Sequence, residues 1–403
     1  MTCRHLQFTT ALLVVTLALA SQSTAQEQDD GDSVRSTRLG LLVPHETRRE
    51  KRRAAKAGGW AWTFAGSAAA GYDSNLHLAP GNEVNSRVVD SGVFEAALRA
   101  EVLHYFNRDS RLELRAEANA VPYTETTEVN DYNQKVSAFY GQRLSENFKF
   151  LLSADISHKN DNATFINGEQ LDRDFESWNY QARPTLSYRF HSDHKLRIQY
   201  RVKYKDYVET PSLNSLDWLS HGPKVYYDWD VLDKVEIELS YAFKSQNYDE
   251  EIASLSDGTE TLSNPDERHF FHDLQAGVSW EAFDWLKLNV TGGFKRKDDQ
   301  YRDFESYNSF MAKTGATMAL GAFMVSADIK FQHRDYDNRP NDTTGKLMFD
   351  RVDFALAGRT QLTPSIGVFA GYDLRWRDTN KNAGTSYRSY TAHQVMMGVA
   401  WAH

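Results

Sequence analysis

A single cysteine in 403 residues leaves almost no thiol chemistry to consider. Cys3 precedes an apolar run, Ala11 to Ala20, in the opening MTCRHLQFTTALLVVTLALASQSTAQ. A short start carrying Arg4, that run, and the small residues ending Ser23-Thr24-Ala25 make a secretory signal peptide over 1–25. A membrane-spanning helix is the competing reading, and about ten apolar residues fall short of the roughly twenty it needs. Removal of 1–25 takes Cys3 with it, so disulfides, zinc-thiolate sites and a cysteine nucleophile are excluded.

No other apolar run approaches spanning length, and the mean hydropathy of −0.61 is polar. A helical membrane protein is thereby ruled out. The net charge of −9 argues against a nucleic-acid binder. There is no Gly-rich cofactor loop, so no cofactor is expected. Prolines number only nine, while aromatic residues make up 13%.

What is present is alternation. In SWNYQARPTLSYRFHSDHKLRIQYRVKYKDYV, 177–208, every second residue from Trp178 to Phe190 is apolar or aromatic, with polar residues between. After the turn His191-Ser192-Asp193-His194, Leu196, Ile198, Tyr200, Val202 and Tyr204 take one face, against Lys195, Arg197, Gln199, Arg201, Lys203 and Lys205. Side chains of a strand change face with period two, so this is a hairpin with one oily and one charged face. The pattern recurs from Trp60 to Trp401, weakest near Val136 to Tyr140.

Short turns alternate with longer polar connectors, at Val84 to Asp90, Lys159 to Asp174, Asn247 to Arg268, Asp335 to Asp350 and Asp378 to Ser389. Alternating strands, aromatic strand ends and unequal connectors predict an all-β, antiparallel transmembrane barrel over 60–403, in a bacterial outer membrane. The strands number about sixteen, within a range of about fourteen to eighteen; an even number returns both ends to the periplasm. Trp62, Tyr72, Trp178, Trp229, Trp280, Trp376 and Trp401 fall where a belt would meet outer-membrane lipid and lipopolysaccharide. Residues 26–59 are acidic, then basic, without strand periodicity. They are either a periplasmic lead-in or a plug or dock for a periplasmic partner.

The polar faces carry more basic than acidic residues although the chain is acidic overall. Arg99, Arg115, Arg183, Arg189, Arg197, Arg201, Lys203, Lys205, Arg359 and Arg375 fall on the lumen side. Such rows favour anions over cations in a wet pore; the plain alternative is a solvated wall. Glu101, Glu113 and Glu117 stand beside Arg99, Arg111 and Arg115 and are expected to pair across strands.

The stretch Gly59 to Asn82, through Gly71-Tyr72-Asp73-Ser74-Asn75 and Ala79-Pro80, resembles the opening of outer-membrane barrels associated with exopolysaccharide or capsule export. It resembles equally the related barrel domain of the surface lipoprotein assembly modifiers. The resemblance implies outward movement of a polymer or a protein. It leaves two functions open: a channel passing anionic solutes or exporting an anionic polymer such as exopolysaccharide, or a non-conducting barrel that helps deliver proteins or polymers to the surface. The assembly modifiers carry a helical-repeat domain before the barrel, for which 26–59 is too short.

No Ser/His/Asp set has catalytic spacing, so no enzyme is expected; His158, His269, His272 with Asp273, and His333 belong to an interfacial belt. Asp335, Asp337, Asn338, Asn341 and Asp342 could offer oxygens to a cation but depart from the calcium-loop pattern, so no metal site is expected.

Overall fold

The computed structural model describes residues 59–74, 90–124, 131–161, 165–166, 169–170, 175–208, 217–341, 345–380 and 389–402. Residues 1–25, where a signal peptide is expected, the segment 26–58 and the residues from Asn75 to Asn82 of the resemblance lie outside the described residues.

Sixteen strands form a closed barrel in which each pairs antiparallel with its sequence neighbours. They are β1 (Trp60–Asp73), β2 (Ser91–Tyr105), β3 (Ser110–Val121), β4 (Asp131–Arg143), β5 (Phe148–Asp161), β8 (Phe175–Arg189), β9 (His194–Tyr207) and β10 (Trp218–Leu232). There follow β11 (Val235–Ile252), β12 (Asp266–Phe283), β13 (Leu286–Asp299), β14 (Tyr307–Leu320), β15 (Phe323–Pro340), β16 (Lys346–Thr363), β17 (Ile366–Thr379) and β18 (Tyr390–Ala402). Within the connector after β5, β6 (Phe165–Ile166) and β7 (Glu169–Gln170) pair only with each other. The described residues contain no helix.

The alternation dictates both faces. Trp62, Phe64, Tyr72, Trp178, Ile198, Trp229, Leu239, Trp280, Val290, Phe331, Trp376 and Trp401 are all exposed, in a surface no aqueous protein would keep. The wet face points inward, so the apolar band is the side that meets hydrocarbon. A closed barrel leaves no strand edge unsatisfied there, and the chain is a transmembrane barrel of the outer-membrane type. Its short-turn rim is then the periplasmic one.

The strands outrun the sequence reading at the opposite rim. β4 extends over thirteen residues around the poorly marked Val136 to Tyr140. β15 and β16 continue through what the composition marked as a connector from Asp335 to Asp350, leaving 341–345 between them. Ladder hydrogen bonds override weak propensity once both neighbours are in register.

Closure joins first strand to last, from Ala65 opposite Ala402 to Asp73 opposite Gln394. Gly66 stands opposite Trp401, and a Cβ there would lie 2.4 Å from the indole. The missing side chain lets that ring lie flat across β1. At the β14–β15 turn, Gly321 takes φ 61, the left-handed conformation that two-residue hairpins require.

Candidate functional site: the lumen wall

The inward register of each strand builds the wall, and neighbouring strands bring its charges together. On β2 and β3, Arg99 Nε lies 3.3 Å from Glu117 Oε1 and Arg115 Nη2 lies 2.7 Å from Glu113 Oε1. Both guanidinium groups also approach Glu101, at 3.7 Å. Arg99 with Glu117 and Arg115 with Glu101 are the cross-strand pairing expected from the sequence, while Arg115 with Glu113 and Arg99 with Glu101 are neighbours along one strand; together they make that sector nearly neutral and stiff.

Further round, Asp155 takes Lys135 at 3.0 Å and Arg183 at 3.4 Å, and Arg183 Nε donates to Ser153 Oγ at 3.1 Å. Asp228 takes Lys195 at 3.0 Å and Arg197 at 2.7 Å, while Arg197 reaches Glu238 two strands away at 2.5 Å. The lower part of the basic row on β9 therefore has carboxylate partners on β10 and β11. The acids that hold it lie more than thirty positions further along the chain, beyond the reach of local pattern.

The upper part of that row meets other chemistry. Arg201 donates to Gln181 Oε1 at 3.2 Å, Lys203 Nζ lies 4.9 Å from the Trp218 ring, and Lys205 Nζ lies 4.3 Å from the Tyr207 ring. Directly across from Lys203 stand Gln181 and Ser220; across from Lys205 stand Asn179 and Trp218. Arg189 is exposed at the periplasmic rim, opposite Lys195. Arg359 lies on the inward face with Nη2 3.6 Å from Met324 Sδ. Arg375 stands opposite Asp353, which also accepts from Arg351 Nε at 2.9 Å.

The sequence reading missed the inward aromatics. Arg197 lies over Tyr226 at 4.2 Å, Lys244 over Phe271 at 3.9 Å, Arg334 over Tyr307 at 4.1 Å and Arg377 over Phe349 at 4.4 Å. These rings are buried against the cations they face, and each such contact contributes about 1 kcal/mol or more once water is excluded. A signal did exist: Tyr226-Tyr227 and Phe270-Phe271 are adjacent, so one ring of each pair must point inward.

At the long-connector rim, residues 300–306 fold back so that Glu305 is buried. It lies 3.4 Å from Lys297 Nζ and forms an ion pair with Arg339. Burial pushes its carboxyl up, but Lys297, Arg339 and His269 outweigh that and hold it below the ordinary carboxylate range.

Among the described residues, His158, His269, His272 and His333 lie apart and do not assemble into one set. His269 is fully buried on the inner face, whereas His272 faces outward, hydrogen-bonded through Nδ1 to Tyr241. His158 stacks on Trp178 at 4.4 Å and is bonded to Glu176, and His333 is bonded to Asp350. Asp335, Asp337 and Asn338 lie within β15 rather than in a loop. Asp337 pairs with Arg296 at 2.6 Å while Asn338 Nδ2 donates to the Arg302 carbonyl, and Asp342 lies outside the described residues. The seven belt aromatics all sit on the outer face, between 37% and 65% exposed.

No protein-family model matches the chain, and no curated protein matches its sequence. Among solved structures it is similar to a bacterial polysaccharide outer membrane secretin, at 10% identity and TM-score 0.43, covering 85% of this chain and 98% of that one. It is similar to the anion-selective porin from Comamonas acidovorans, at 9% identity and TM-score 0.44, covering 86% and 99%. It is likewise similar to Salmonella typhi OmpF in complex with daunomycin, at 10% identity and TM-score 0.46, covering 86% and 99%.

Proposed function

We propose that the protein is a channel of the bacterial outer membrane whose basic lumen passes anionic solutes or exports an anionic polymer such as an exopolysaccharide. The observation that carries this reading is the inner face of β9, where Lys195, Arg197, Arg201, Lys203 and Lys205 point inward with no acid among them. Among the described strand residues, inward basic positions outnumber inward acidic ones, which supports the same reading. Sixteen strands enclose a lumen wide enough for water, and a positive wall there lowers the barrier for anions and raises it for cations. Sugar carboxylates would exchange with the wall carboxylates for the same guanidinium and ammonium groups, so a polyanion can pass from one cation to the next without a deep trap.

The test is block of single-channel current in planar bilayers. Oligomers of an acidic polysaccharide are expected to interrupt the current at micromolar concentrations, while a neutral dextran of equal size is not. In Lys203→Glu/Lys205→Glu the block should weaken by about tenfold or more, two favourable charge contacts having been reversed. Equal block by the neutral polymer overturns the polymer reading. Absence of any current returns the protein to the non-conducting delivery role.

A further inference from the structure

Away from the lumen, a compact group of metal-ligating side chains lies in the turn between β8 and β9, at the periplasmic rim. His191, Asp193 and His194 each offer a ligand atom, and these atoms lie within 4.8 Å of one another. Asp193 accepts hydrogen bonds from the Ser192 hydroxyl and the His191 imidazole, which hold its carboxylate within the group.

Two imidazoles in a turn do not by themselves make a site; how His194 is held does. Its Nδ1 is hydrogen-bonded to Tyr227 Oη at 2.8 Å. Its ring stacks on Phe190 at 5.4 Å with 7° between planes, and on Trp229 at 5.7 Å. When Nδ1–H donates to the Tyr227 oxygen, Nε2 keeps its lone pair and a fixed direction. An imidazole oriented through its second nitrogen is how proteins prepare a histidine for a metal. The turn is also tied to β10, since the Asp230 amide donates to the Asp193 carbonyl at 2.8 Å.

We propose that this turn binds one borderline divalent transition ion, with Zn2+ as the reference, through the Asp193 carboxylate and one nitrogen each of His191 and His194. Two imidazoles and one carboxylate suit Zn2+, Ni2+ or Cu2+ rather than Mg2+ or Ca2+. Three protein ligands leave a fourth position for water or for a ligand arriving from the periplasm. The site faces away from the pore, so it stands or falls independently of the channel reading.

The experiment uses the full mature chain without a histidine tag, refolded in detergent and titrated with Zn2+ by calorimetry and with Co2+ by visible absorption. One ion per barrel is expected, with the absorption of tetrahedral or five-coordinate Co2+. Affinity should fall by about tenfold or more in His191→Ala and Asp193→Asn, and by about tenfold in Tyr227→Phe, which touches no metal and removes only the orienting hydroxyl. His221→Ala, a similarly Tyr-bonded imidazole at the other rim, should leave binding unchanged. Heat-dependent gel mobility verifies that each variant is folded. No saturable binding, or binding indifferent to the His191 and Asp193 substitutions, overturns the proposal.

Discussion

Tyr372 Oη lies 2.8 Å from His393 Nδ1, across the lipid-facing side of β17 and β18, with ring centroids 6.1 Å apart and planes at 29°. Tyr241 and His272 repeat the arrangement at 2.8 Å, and Tyr200 and His221 at 2.9 Å. In each pair the tyrosine lies diagonally across from its histidine, on the side nearer the middle of the histidine's strand. A phenol on the lipid-facing side must find a partner, and the histidine of the neighbouring strand provides one.

That pairing is measurable as a coupling. In a double-mutant cycle of Tyr372→Phe and His393→Phe, urea unfolding from lipid vesicles should show an interaction of about 1 kcal/mol. Strict additivity would mean that the two groups satisfy themselves separately with water or headgroups.

The closure seam makes a second expectation. A Cβ at Gly66 would meet the Trp401 indole at 2.4 Å, so Gly66→Val should destabilise the barrel by about 1–3 kcal/mol through overpacking. Adding Trp401→Ala should recover part of the loss. Thermal melting followed by gel mobility gives both values, and an unaltered Gly66→Val barrel would show that the seam is not set by this contact.

Glu305 supplies the pH dependence. Its carboxyl is held below the ordinary range in the folded barrel, so its contribution is full above the unfolded carboxylate value, about 4.3. It is lost as pH falls through the depressed folded value. The connector 300–306 should therefore open to protease only in acid. Glu305→Gln, which removes the counter-charge of Lys297 and Arg339, should open it at neutral pH at a cost of about 3 kcal/mol.

Much of this was legible in the sequence, for a physical reason: period-two alternation is strictly local, so Trp62, Trp178 and Trp401 could be assigned to the outer face one strand at a time. Pairing between neighbouring strands was also within reach, as Arg99 with Glu117 shows. The charge state of the wall was not. Arg197 meets Asp228 and Glu238 because closure and register bring three strands together, and no periodicity along one strand reports what lies on the next. The inward rings Trp218 and Phe349, which have no aromatic neighbour in sequence to betray them, were hidden because aromatics in a barrel point to the lipid belt first.

The sign of the current's selectivity tests the channel reading most directly. With the purified wild-type barrel in a planar bilayer under a salt gradient, the reversal potential should take the sign of anion preference. It should shift toward zero when Arg201, Lys203 and Lys205 are replaced by Gln. A reversal potential of cation sign in the wild type would contradict the basic lumen as the basis of function.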